Sequence, residues 1–293
     1  MSASAAIDPS QVRATLRAAG LRARHALSQN FLADAEVLSA ILAEAAPAAG
    51  GAVLEIGPGL GLLTSGLLDA GAAVTAVELD AGLAAFLQER FAAELESGQL
   101  RLIEGDALDQ DLVRLVEPPY DVVANLPYHI TSPILHALLG ESPRPRRLVL
   151  MVQREVAERI AAPPGKMSYL SVFVQYHARV RVAFRVPPAA FEPEPAVESA
   201  VIVVEPFDTD DRLAPAEEDQ LWRLVQAAFR ERRKMIHNVL TRQLPVEAGR
   251  VAAALATAGI EADRRPQTLA VGEWLVLREA LGPLGSDRRG RRE

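Results

Sequence analysis

Apolar positions over residues 51–152 fall in short continuous runs, separated by segments with helical spacing. Ala52 to Ile56, Val74 to Leu79, Leu100 to Glu104, Tyr120 to Ala124 and Arg147 to Val152 read as strands. Between them, Leu62 to Ala70, Ala81 to Leu95 and Thr131 to Leu139 read as helices, the first stopped by Gly71. Strands that are apolar throughout, alternating with helices, predict an α/β fold with a parallel sheet covered on both faces. Ligands in such sheets bind beyond the carboxyl ends of the strands. Gly57, Glu78, Asp106 and Asn125, which follow or close four of these strands, are therefore expected on one rim.

Ahead of the sheet, Val12, Leu16 and Ala19 give Ser10 to Leu21 a helical pattern with Gly20 as its stop. Asp34 is placed to cap a helix reaching Ala46. His25 to Leu32, between them, reads as a polar-aromatic loop anchored to the core by Phe31 and Leu32. Past the sheet, Arg154 to Ala161 reads as a helix and Pro163-Pro164-Gly165 breaks the chain. Tyr169 to His177 and Arg179 to Val186 then alternate as strands do. The prolines make Phe191 to Pro195 stiff and extended, and an apolar run leads to Val204. Pro206 to Pro215 is polar and turn-rich, a domain boundary. Beyond it the spacing is helical: Leu221, Val225 and Ala228; Ile236, Val239 and Leu240; Val246 to Ala258, stopped by Gly259; and Val271 to Leu281. The expected organisation is an α/β domain with an N-terminal extension over 1–206, a smaller all-helical domain over 207–282, and a disordered Gly/Arg-rich tail over 283–293.

A length of 293 residues suits one large and one small domain. The chain has no cysteine, which excludes disulfides, thiolate metal sites and cysteine nucleophiles, and no metal is expected. No apolar run approaches the roughly 18 residues that span a bilayer. Arg13, Arg17, Arg22 and Arg24 interrupt any signal-like pattern. A cytoplasmic protein without a membrane partner is expected. The net charge of −7 argues against nucleic acid until it is divided along the chain. Ala33 to Asp121 holds 16 acids and 3 bases, whereas Leu221 to Arg242 holds 6 Lys/Arg against Glu231, and residues 1–30 hold 4 Arg against Asp8. An acidic half suits a cationic cofactor and basic flanks suit phosphate, although solvated helix faces give the same numbers.

The chemistry centres on Glu55-Ile56-Gly57-Pro58-Gly59-Leu60-Gly61. Glycine lets a backbone turn sharply and approach a ligand closely. The dinucleotide fingerprint wants its third glycine where Leu62 stands, so a nicotinamide-dependent oxidoreductase fails on spacing. An E-x-G-x-G-x-G loop is instead like that of S-adenosylmethionine methyltransferases. Glu78, 21 residues beyond Gly57, can accept from both ribose hydroxyls of an adenosyl group. Asp106 can accept from an adenine amine; a turn-capping role is the simpler alternative. Asn125-Leu126-Pro127-Tyr128 combines an amide oxygen and a main-chain carbonyl, made rigid by proline, with a ring that can stack on a base. Two acceptors on an exocyclic –NH₂ draw its nitrogen towards tetrahedral geometry and aim the lone pair at a methyl donor, so orientation and electrostatics supply the rate.

The chain resembles the ribosomal RNA adenine N6-dimethyltransferases, most closely the bacterial small-subunit type linked to kasugamycin sensitivity. The likeness runs from about Leu27 to about Leu277. It is carried by Gln29-Asn30-Phe31-Leu32, Glu55 to Gly61, Val77-Glu78-Leu79-Asp80, Gly105-Asp106-Ala107, Asn125 to Tyr128, Phe191 to Val201, Phe229 to Lys234 with Asn238 and Leu240, and Arg265 to Leu269. The resemblance implies a Rossmann-like methyltransferase sheet with a small helical C-terminal domain. It implies that Asn30, Leu32, Gly57, Glu78, Asp106 and Asn125 hold S-adenosylmethionine, and that Leu126, Pro127, Tyr128 and Phe191 surround the target adenine. Arg230, Arg232, Arg233 and Lys234 would meet RNA. The implied substrate is a pair of adjacent adenines near the 3′ end of small-subunit (16S) ribosomal RNA, within a pre-ribosomal 30S particle, and the implied state is a monomer. Ser28 stands where the family usually has Gly, and His129 where it often has Asn or Tyr; His129 reads as a pocket-rim residue, with a general-base role as the alternative. A large-subunit (23S) dimethyltransferase of the macrolide-resistance type is the runner-up. A non-catalytic RNA-binding assembly factor is the other alternative, and the intact Glu78 and Asn125 argue against it.

Overall fold

The first helix, α1 (Pro9–Ala18), starts at Asp8, whose carboxylate accepts from the Ser10 and Gln11 N–H groups. It leads to a two-residue strand, β1 (Phe31–Leu32), and to α2 (Ala35–Ala45), which Asp34 caps in the same way. The alternating core follows: β2 (Ala52–Ile56), α3 (Leu62–Asp69), β3 (Ala73–Glu78), α4 (Ala81–Arg90), α5 (Ala92–Ser97), β4 (Leu100–Glu104), β5 (Tyr120–Asn125), α6 (Thr131–Gly140) and β6 (Arg147–Gln153). Then come α7 (Arg154–Ile160), α8 (Tyr169–His177), β7 (Ala178–Val186), β8 (Phe191–Glu192) and β9 (Ser199–Pro206). The remaining helices are α9 (Pro215–Phe229), α10 (Ile236–Gln243), α11 (Ala248–Thr257) and α12 (Val271–Leu281). The computed structural model describes residues 8–24, 29–208 and 213–284.

The chain divides into two units, Met1–Glu158 with His177–Pro206, and Arg159–Tyr176 with Phe207–Glu293. In the first, seven strands lie in the order β4-β3-β2-β5-β6-β9-β7. β2 to β6 run parallel, and β9 is antiparallel to both neighbours. The mostly apolar β2, β5 and β6 are buried almost from end to end, the pattern of strands covered on both faces. Strand order reverses between β2 and β5, so the carboxyl ends of these strands open a crevice at the switch point. A second ribbon pairs β1 with β8, setting Leu32 opposite Phe191. Val12, Leu16, Phe31, Leu60 and Leu83 form a small core of their own, which packs the N-terminal arm beside the glycine loop.

The second unit encloses Leu221, Ile236, Leu255, Trp274 and Leu277 in one apolar core. Met167 and Val172 belong to it, so residues 159–176, read above as part of the first domain, cluster with the C-terminal helices.

Three other expectations need correction. Tyr169 to His177 is the helix α8, not a strand. Leu170, Phe173, Val174 and His177 are buried at helical spacing, while Leu170, Val172 and Val174 counterfeit a two-residue period. The single helix expected over Ala81 to Leu95 breaks at Phe91 (φ −113°, ψ 32°), whose buried ring packs beneath the glycine loop. In the tail, Pro283 and Leu284 are placed, and Leu284 is buried in the helical core. The rest of the tail, 285–293, and His25 to Ser28 lie outside the described residues.

Candidate active site

The turn after β2 is held in place by the main chain. Gly57 N–H donates to the Val77 carbonyl at 2.9 Å, and Gly61 N–H closes on the Pro58 carbonyl at 2.9 Å. Gly61 sits at φ +75°, and a Cβ there would lie 2.5 Å from the Phe91 ring, so no other residue fits without displacement. Arg90, over the Phe91 ring, donates to the Leu60 carbonyl at 2.8 Å. The loop is thereby fixed from below and left open above.

Glu78 closes β3 with only 5% of its surface exposed. Its two oxygens accept from Gly59 N–H (3.0 Å) and Asp80 N–H (2.9 Å), which orients the carboxyl and ties it to the glycine loop. Burial raises its pKa, and those two donors oppose the rise. Asp80 caps α4 through Gly82 and Leu83, while its other oxygen takes Gln29 Nε2 at 3.4 Å and Arg24 Nε at 3.1 Å. The arm is thus pinned at the position from which Asn30 enters the cleft. Asp106 accepts from Leu108 N–H at 2.8 Å, the turn-capping contact; its second oxygen is free of that duty.

Asn125 ends β5, and its Nδ2 donates to the Asn30 carbonyl at 3.3 Å. With the nitrogen so engaged, Oδ1 remains as the acceptor. Leu126 N–H is taken by the Met151 carbonyl at 3.1 Å, and Pro127 accepts from Ile130 N–H at 3.2 Å. The Tyr128 hydroxyl meets Ser199 Oγ at 3.1 Å. Phe191 is buried beside Leu32 through the β1–β8 ribbon.

The structure brings Asn30, Leu32, Gly57, Glu78, Asp106, Asn125, Leu126, Pro127, Tyr128 and Phe191 around a single cavity. His129 stands exposed at its rim. Glu55 also lines it, although its place in the glycine motif had suggested no role of its own. It is 1% exposed, and its pKa is pushed up to about 8, chiefly by burial, with the neighbouring Glu78 adding to the rise. An acid inside an otherwise apolar strand was the available signal. Leu79 and Met151 complete the wall. The described lining residues include three carboxyls, of which Glu55 keeps its proton up to about pH 8, and no Lys or Arg, a wall that fits a ligand bearing positive charge.

The basic stretch belongs to the second unit and lines no part of this cavity. Arg230 to Met235 is the turn between α9 and α10 rather than helix. Arg232, Arg233 and Lys234 are exposed. Arg232 reaches the Met167 carbonyl at 3.5 Å, and Arg230 bonds Gln243 at 3.1 Å.

The chain is similar to known proteins along most of its length. Residues 20–281 match the family model described as ribosomal RNA adenine dimethylase. The chain is 42% identical over 286 residues to the ribosomal RNA small subunit methyltransferase A of Anaeromyxobacter sp. (strain K), covering 92% of this chain and 97% of that protein. It is 44% identical over 273 residues to the protein of the same name from Synechococcus sp. (strain RCC307), covering 90% and 98%. Among solved structures it is similar to the 23S rRNA methyltransferase ErmE (TM-score 0.68, 29% identity, 86% of this chain and 99% of that one). A dimethyladenosine transferase from Plasmodium falciparum gives a TM-score of 0.69 at 26% identity, covering 84% and 95%.

Proposed function

The chain belongs to the ribosomal RNA adenine dimethylase family, and from that premise we propose that it transfers methyl groups to N6 of two adjacent adenines near the 3′ end of small-subunit (16S) ribosomal RNA during ribosome biogenesis. The observation that carries this reading is the meeting, in one cavity, of the Asn125–Tyr128 amine reader with an acid-lined glycine loop.

The family is one of S-adenosylmethionine-dependent methyltransferases, and the bound cofactor supplies an electrophilic methyl on a sulfonium. Glu78, held by Gly59 and Asp80, would take the ribose hydroxyls, and the free oxygen of Asp106 the adenine amine. Gly57, Asn30, Leu32 and Asn125 would complete that cradle. On the substrate side, Tyr128 and Phe191 would flank the target base, with Pro127 keeping the loop rigid. Asn125 Oδ1 and the Leu126 carbonyl would accept the two N6 protons and aim the nitrogen lone pair into the cavity. No strong base is required, because the proton leaves for solvent after the new N–C bond has formed. His129, exposed at the rim, fits that route without having to drive it.

The small subunit is favoured over the large because the relatives named for it share 42–44% identity with this chain, against 29% for ErmE. Intact acceptors in the cavity speak against a purely structural assembly factor. The exposed Arg232, Arg233 and Lys234 supply phosphate contacts, and a monomer acting on a pre-30S particle in the cytoplasm fits this reading. No helix among the described residues is long and apolar enough to cross a membrane. Labelled-methyl transfer to undermethylated small and large subunits, assayed side by side, tests the proposal. Incorporation into the large subunit alone, or into neither, overturns it.

A further inference from the structure

Tyr128 sits on the loop between β5 and α6, half-buried, and lines the cavity. Its main chain is tied locally, since the carbonyl accepts from Thr131 Oγ1 at 3.4 Å. The ring itself turns about two side-chain torsions, and nothing in the Asn125–Tyr128 motif stops that turning. Among the described residues its side-chain hydrogen bond comes from far along the chain, where Ser199 Oγ lies 3.1 Å from the phenol oxygen.

Ser199 is well suited to be the fixed end of this contact. It opens β9 and is paired on one side with Gln153 of β6 and on the other with Val186 of β7. With 1% of its surface exposed and its backbone paired on both sides, it is a firmly held end for the contact. A hydroxyl can donate to or accept from the phenol, so the contact survives either orientation of its protons. Ser199 is not among the residues that line the cavity. The same run of chain brings Phe191 to the cavity wall.

We propose that Ser199 is a positioning residue for methyl transfer, holding the Tyr128 ring in the plane in which it stacks on the target adenine. The inference rests on the reading of Tyr128 as the base-stacking residue. Without the tether the ring samples other rotamers, and the base is held productively for a smaller fraction of the time. The rate of transfer then falls while the cofactor cradle is untouched. The second transfer should suffer more than the first. A monomethylated amine offers one proton in place of two, so its placement leans more heavily on stacking.

The test is a double-mutant cycle over Ser199→Ala and Tyr128→Phe, read by single-turnover methylation of undermethylated small subunits with products resolved by mass. Losing one hydrogen bond should slow each single variant by about tenfold. The double variant should be no slower than either, because both changes remove the same contact. Cofactor affinity by calorimetry should stay within about twofold of wild type, and monomethyl product should accumulate. A wild-type rate for Ser199→Ala, or a double variant slowed by the product of the two single effects, overturns the inference. If Ser199→Ala fails to bind cofactor, Tyr128→Phe decides alone, and a wild-type rate there overturns it. Tyr128→Ala separates this inference from the reading beneath it. Full activity in that variant removes Tyr128 from the base site altogether, whereas a crippled Tyr128→Ala beside a normal Ser199→Ala removes only the tether.

Discussion

Two side chains of the cavity, Asn125 and Glu55, show how environment sets what a residue can do. Asn125 has its nitrogen committed to the Asn30 carbonyl, so its oxygen is oriented before substrate arrives. A group so oriented strengthens its contact as N6 becomes tetrahedral, and its removal lowers turnover rather than ground-state binding. Asn125→Ala should cost about 10²–10³ in single-turnover rate, with RNA affinity retained because phosphate contacts supply most of it. A variant with wild-type rates would show that Asn125 is only a loop residue. Glu55 makes a different prediction, about pH. Its folded pKa of about 8 lies above the ordinary carboxyl value, so the folded state keeps a proton that the unfolded chain releases. Between pH 4.5 and 8 the unfolded state binds fewer protons, and stability therefore falls as pH rises through that window, levelling off above it. Glu55→Gln should match wild type near pH 5 and be the more stable of the two near pH 8 in urea unfolding. Parallel pH profiles for the two proteins would mean that Glu55 is ionised in the folded state.

At the scale of elements, the glycine loop shows why some of this site was legible in advance. A continuous apolar strand, a G-x-G-x-G turn and a helix define a local unit whose geometry depends on few distant residues. The parallel topology then delivers Gly57, Glu78, Asp106 and Asn125 to one rim without knowledge of any side-chain contact. What escaped is long-range. The tie from Asp80 to Gln29 spans 51 residues, and the contact from Tyr128 to Ser199 spans 71; neither leaves a periodic trace. The break at Phe91 carries no Gly or Pro, and its cause is the ring lodged under Gly61. Helix α8 carries a strand-like pattern because its packing on several faces erases the polar stripe that marks a surface helix. The lodged ring gives a direct test. Gly61→Ala would set a methyl 2.5 Å from Phe91 and 2.8 Å from Leu87 in a left-handed conformation. It should lower unfolding stability by roughly 2–4 kcal/mol and displace the loop enough to weaken cofactor binding. Unchanged calorimetric affinity and melting would show that the loop yields where the geometry says it cannot.

Across the whole molecule, charge is divided as function requires. The −13 carried between Ala33 and Asp121 lies in the first unit, where Glu55, Glu78 and Asp106 line the cavity. The +5 between Leu221 and Arg242 lies in the second. Within that basic stretch the side chains are not equivalent. Arg242 is paired with Glu231 at 2.8 Å, and Arg230 is occupied by Gln243, so both are spent in part on local structure. Arg233 and Lys234 are exposed beside Met235, and Arg232 has only a long contact to the Met167 carbonyl. These three are therefore the residues best able to exchange condensed counterions for phosphate. Each cation that meets a phosphate steepens the fall of affinity with salt by about one power of the salt concentration. Replacing Arg232, Arg233 and Lys234 together by Gln should flatten the slope of log affinity against log salt by about 2–3 for undermethylated subunits. Cofactor affinity should not change, since none of the three lines the cavity. Replacing Arg230 and Arg242 instead should alter the slope less and stability more, because those two hold α10 to the turn before it. An unchanged slope in the triple variant would assign RNA binding to another surface, such as the arginines of the N-terminal arm. A slope lowered equally by both sets of replacements would show that the ion pairs open on the ribosomal substrate and that the whole basic stretch, not its exposed turn alone, meets the phosphates.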